Sequence, residues 1–173
     1  MAWNTPITWV AGQLVGASDL NGQIRDDLLY LLSGRGFINN AVLPAGNYTT
    51  SSSTFVVVDT TNLSVTIYTQ SGRLLIQCAF AAGTDNTAHT SQAWFSQQID
   101  GVTIDGSATY GSYSLKQTNG GNGNHQICLL GGGNYGVGTH TIKLVYRGDG
   151  TAGDLVTIYG GATQPIRTTG LEQ

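Results

Sequence analysis

Charge is scarce in this chain. Its 173 residues hold only 7 Lys and Arg and 10 Asp and Glu, 10% charged against about 25% in ordinary globular domains. The cations form no cluster, so the phosphate-neutralising patch that direct nucleic-acid binding requires is missing. Long apolar runs are missing too. No stretch approaches the roughly 20 residues that span a bilayer, which argues against membrane insertion. The N-terminus lacks the basic region and the continuous apolar region of a secretory signal. The sequons at Asn47 and Asn62 therefore read as chance occurrences in a Thr-, Ser- and Asn-rich chain.

Cysteine is limited to Cys78 and Cys128. Neither sits in a CxxC or in any ligand-spaced set, so zinc is unsupported. Both are expected to act as small buried hydrophobes. A disulfide would need their two strands to be neighbours, and a cytoplasmic history disfavours one. Catalytic constellations are missing as well. His89, His125 and His140 make no HExxH, and the chain has no G-x-S-x-G elbow. Asp100 and Asp105 could be paired as glycosidase carboxylates, but each precedes a glycine, and turn chemistry accounts for both. Trp94, Phe95, Tyr110 and Tyr113 could form a sugar-stacking platform; core packing accounts more simply for Trp94 and Phe95. No catalytic, cofactor-binding or metal-binding residue is assigned, and an enzyme is not expected.

What is present divides the chain in two: an N-terminal arm and helix over residues 1–40, and a β domain over residues 41–173. Ser18 is a good N-cap, and Asp19 follows where negative charge meets the positive end of the helix dipole. Leu20, Ile24, Leu28 and Leu31 recur at spacings that make one apolar stripe. Ser33-Gly34 supplies a C-terminal stop. The expected helix covers residues 18–32. A helix of this length is marginal alone in water, so its stripe must be buried on the chain's own β domain, on copies of itself or on a larger assembly. Trp3 and Trp9 sit upstream on a segment with no clear period. Large aromatics of this kind dominate many binding interfaces, and the six residues Trp3, Trp9, Leu20, Ile24, Leu28 and Leu31 are the candidate docking set.

Beyond Gly34 the period changes from that of a helix to that of a strand. Runs at 54–59, 63–69, 73–82, 93–99, 102–104, 110–116, 126–130, 140–147, 155–159 and 166–171 are rich in β-branched and aromatic residues and separated by turn signals. In the second run Val65, Ile67 and Thr69 alternate with Ser64, Thr66 and Tyr68, as one buried face requires. Asp100-Gly101 and Asp105-Gly106 favour tight hairpin turns. Two glycine-rich segments, Thr118–Asn124 and Gly131–Gly136, fit no phosphate-binding motif and are expected to be solvent-facing loops at one end of the domain, a candidate recognition tip. Many short strands with no intervening helix predict an antiparallel sandwich or barrel.

The run from Trp9 to Leu31, W-x-x-G-x-L-V-x-A-x-D-L-N-x-Q-I-R-D-x-L-x-x-L, resembles the N-terminus of many tailed-bacteriophage virion proteins. The stretch from Gly136 to Asp154, with Tyr146 at an aromatic position and Glu172 near the end, looks like the closing strands of the jelly-roll domains that follow such anchors. The resemblance implies an all-β, antiparallel jelly-roll-like β-sandwich behind a short N-terminal α-helix and extended arm. It implies a tail-fibre or capsid-decoration type of structural protein in a virion assembled in the host cytoplasm, with itself (as a homotrimer) and other virion proteins as partners. The alternative is a host-receptor or carbohydrate-binding adhesin that reads a cell-surface glycan with the loop tip.

Overall fold

The computed structural model describes residues 8, 10–14, 16–21, 24, 39–43, 46–85, 91–104, 112–117, 124–151, 154–161 and 165–173. A short helix, α1 (Ala17–Leu20), precedes β1 (Asn39–Leu43), β2 (Gly46–Thr50), β3 (Val56–Val57), β4 (Val65–Thr69), β5 (Arg73–Asp85), β6 (Ser91–Ile99), β7 (Val102–Thr103), β8 (Tyr113–Gln117), β9 (His125–Asn134), β10 (Gly138–Arg147), β11 (Leu155–Gly160) and β12 (Ile166–Glu172).

The strands form two antiparallel sheets. In the first, β9 pairs with one side of β5; β11 and β12 share the other side, and β2 and β1 flank them. In the second, β6 and β10 lie at the centre. β7 and β8 share the outer side of β6, while β3 and β4 share the outer side of β10. Merging the collinear pairs gives eight strand lines in the orders 1-8-3-6 and 2-7-4-5, which is the double-sheet order of a jelly roll. The all-β jelly-roll-like sandwich expected from the sequence is the fold.

Period-two burial puts the core between the sheets. Along β4, Val65, Ile67 and Thr69 are buried while Thr66 and Tyr68 are exposed. Leu74, Ile76, Cys78 and Phe80 of β5 face Phe95, Ile99, Ile142 and Leu144 of the opposite sheet. Each large aliphatic or aromatic side chain so buried contributes about 1.5–3 kcal/mol. Phe80 and Phe95 meet across the sandwich at 5.1 Å between ring centroids.

Several expectations are corrected. The helix is capped two residues earlier than Ser18: Gly16 is the N-cap, and the Asp19 carboxylate accepts from its N–H at 3.2 Å. Asp19 reaches back from the first turn, so a residue without a side chain serves as cap. Apart from Asn21 and Ile24, the rest of the expected helix lies outside the described residues. Gly131–Asn134 is strand, paired with Arg73–Ile76, and is not loop. The glycines are there for want of space. A Cβ on Gly132 would lie 2.5 Å from the Leu74 carbonyl oxygen, and one on Gly131 would collide with the Gln97 carboxamide. Trp94 is buried on the outer face of its sheet rather than in the core, with the Arg147 guanidinium 3.9 Å over its ring; Phe95, its neighbour, faces in. Cys78 is buried, whereas Cys128 is exposed. Their strands are indeed neighbours, with Ala79 opposite Cys128, but successive side chains alternate between faces, so the two thiols point to opposite sides of one sheet.

Candidate docking surfaces

The large apolar side chains described in the N-terminal segment lie in solvent. Val10 is 70% exposed, Leu14 95%, Leu20 44% and Ile24 53%. No residue of α1 is buried. Leu20 and Ile24, the described half of the stripe, are therefore not packed on the sandwich. Trp3, Trp9, Leu28 and Leu31 lie outside the described residues.

A charged pair built into the sandwich joins residues far apart in sequence. Asp100 occupies the left-handed region at φ 49°, followed by Gly101 at φ 86°, the geometry expected of an Asp-Gly hairpin turn. Its carboxylate accepts from the Thr141 N–H at 2.8 Å and contacts Nδ1 of His140 at 2.7 Å. His140 Nε2 is 2.9 Å from the Gly136 carbonyl, which also accepts from the Thr69 hydroxyl. Both acceptors are satisfied only when both ring nitrogens carry protons, so the site favours the imidazolium form. Burial works against that charge, but the Asp100 hydrogen bond and the Gly136 carbonyl outweigh it and raise the His140 pKa. Burial likewise pushes Asp100 up, and the bonds from Thr141 and His140 prevail and lower it. An imidazolium with both N–H groups engaged has no lone pair to act as a general base. The arrangement is a clasp between the β6–β7 turn, β10 and the turn before it.

Asp59 is equally committed. Its carboxylate accepts from the Tyr48 hydroxyl at 2.6 Å, from the N–H groups of Thr61 and Asn62, each at 2.7 Å, and from the Asn62 side chain. The Tyr48 bond leads in holding the carboxyl well below the usual range; the Tyr48 phenol, through burial first and then the Asp59 bond, is pushed up to about 12. Glu172 accepts from the Gln70 and Ser71 N–H groups at 2.6 and 2.7 Å and pins the β4–β5 turn to the final strand. Asp105 and His89 lie outside the described residues, and His125 is exposed at the start of β9. Among the described residues, no group of three His, Cys, Asp or Glu side chains could hold a metal ion.

The described surface also has an open groove of about 400 Å³ beside β9, between Leu130, Gly132 and Asn134 on one wall and Arg73, Leu75 and Gln173 on the other. Sequence reasoning missed it because it took the glycines for loop. The steric demand for glycine comes from Leu74 and Gln97, which are remote in sequence. The chain matches no protein-family model and no curated protein sequence.

Proposed function

We propose that this protein is a non-enzymatic structural component of a tailed-phage virion, docked by its N-terminal segment with the sandwich projecting outward. The observation that carries the reading is the exposure of Val10, Leu14, Leu20 and Ile24 beside a sandwich whose own core is filled without them. A short helix of this kind gains its stability from a surface that covers its stripe. The resemblance of residues 9–31 to virion anchors supplies the class of that surface. The low-charge exterior suits a protein packed among neighbours, and the same resemblance favours a homotrimer. The adhesin reading loses half of its expected tip, because Gly131–Asn134 is strand.

The test is Leu20→Asp with Ile24→Asp in the full-length protein. Both positions are exposed, so circular dichroism and the unfolding midpoint should match those of the wild type. Immunogold labelling of purified virions should fall to background. Wild-type incorporation of the double variant would overturn the docking assignment.

A further inference from the structure

We propose that β9 is a self-association edge, pairing antiparallel with β9 of a second copy about a twofold axis at Leu130. Strand β9 runs ten residues and is laddered to β5 on one side. On the other side no described residue pairs with it. The Tyr135 N–H to Gly72 carbonyl bond of 2.7 Å continues the β5 ladder in register. This sets the phase of the strand: odd-numbered residues turn their backbone groups toward β5, and even-numbered residues turn theirs to the open edge. Gln126, Cys128, Leu130, Gly132 and Asn134 thus offer both N–H and C=O outward.

Exposed edges are normally blunted by charge, proline or a bulge. HQICLLGGGN contains no Lys, Arg, Asp, Glu or Pro, and its pairing with β5 is uninterrupted over all ten residues. Leu130, at its centre, is 66% exposed. The strand also complements itself. A twofold axis at Leu130 sets Leu129 opposite Gly131 of the partner subunit, Cys128 opposite the partner's Gly132, and Ile127 opposite the partner's Gly133. Each bulky side chain meets a glycine, and each Leu130 meets its counterpart. The groove of about 400 Å³ lies along the glycine half on the outer face, where the partner's Cys128 and Gln126 would be carried. About ten backbone hydrogen bonds follow from the even-numbered pairs. An isologous contact closes on two copies, so it adds to a threefold association and gives pairs of chains or pairs of trimers.

Light scattering of the full-length protein at micromolar concentration is expected to show an even number of chains, the smallest particle being about 36 kDa, twice the 18.1 kDa chain. Leu130→Lys places like charges directly opposite and should halve the particle. Mixing Leu130→Lys with Leu130→Asp protein should restore it. Leu130→Cys in a Cys128→Ser background should cross-link two chains on oxidation, because hydrogen-bonded antiparallel partners stand about 5.5 Å apart at Cα, within disulfide reach. This second variant reads the contact even if the lysine variant folds poorly. A wild-type monomer, or a complex indifferent to Leu130→Lys, would overturn the proposal, as would absence of the cross-link. A monomer would leave the edge to an extended segment of another protein.

Discussion

Replacing Gly131 by alanine tests why a triple glycine lies inside a strand. The perturbation is a single methyl. It is aimed at the carboxamide of Gln97, a fully buried side chain reaching across from the opposite sheet. That carboxamide cannot swing aside freely, because its Nε2 donates to the Leu129 carbonyl at 3.2 Å and to the Ile76 carbonyl at 3.4 Å. Overpacking of this kind costs about 1–3 kcal/mol, and each hydrogen bond surrendered adds about 1 kcal/mol at most for bonds this long. Gly131→Ala should therefore destabilise by about 2–3 kcal/mol, or about 4–12 °C in midpoint for a chain of this size. Gln97→Ala removes the obstacle together with an Oε1 that is buried without a partner. In that background the new methyl retains an ordinary contact of 3.6 Å with Ile104 Cδ1, and Gly131→Ala should be close to neutral, the reduced freedom of the unfolded chain being worth about 0.4–1 kcal/mol. Denaturant titrations of the four proteins in the cycle measure the coupling directly. Equal losses in both backgrounds, or a neutral Gly131→Ala in the wild type, would refute the reasoning.

Other outcomes follow from the clasp, the thiols and the stacked arginine. His140 titrates above its ordinary 6.5 when folded, so its bonds stabilise fully below that value and fade as the pH climbs through the raised one. Asp100, held below 3.8, sets the acid limit. The gap in thermal midpoint between wild type and His140→Gln should thus be widest at about pH 5–6 and close on the alkaline side; a gap independent of pH would remove the clasp. A thiol reagent should label Cys128 in the native protein and Cys78 only on unfolding, since Cys78 is fully buried and burial pushes its thiol up to about 11. Rapid native labelling of both would contradict this. Arg147→Lys should cost about 1–2 kcal/mol in denaturant titration, because a lysine cannot lie flat between Trp94 at 3.9 Å and Phe55 at 5.5 Å; an unchanged midpoint would show the stacking to be idle.

The sequence carried the sandwich clearly where one sheet face alone decides the pattern. The alternation of Val65, Ile67 and Thr69 survives in β4 because its outer face meets solvent. In β10 the same reasoning fails past Leu144, where Val145 and Arg147 are buried on the outer face as well. There Trp94 and Phe55 cover the sheet, and period two no longer separates inside from outside. The strands β1 and β2 escaped the run-by-run reading because Asn39–Leu43 and Gly46–Thr50 are short and half polar; their pairing with β12 and β11 makes them strands. The Asp100–His140 clasp could not be read locally, since its partners lie 40 positions apart and meet only through the β6–β10 register. The N-terminal stripe was legible as a stripe, and its described half is exposed as an unpartnered stripe would be.

The placement of β12 has a consequence for how the chain is made. Ile166–Glu172 lies between β1 and β5 in the first sheet, and Glu172 ties down a turn about a hundred residues upstream. The strand that β1 needs as its neighbour is synthesised long after β1 itself. At about 5–20 residues per second, β1 waits several seconds without a partner while the apolar N-terminal segment is already exposed. Pairings this distant in sequence close slowly even afterwards. During synthesis the N-terminal segment proposed for docking is therefore available before the β domain has folded, and loss of β12 would be felt at β1, more than a hundred residues upstream.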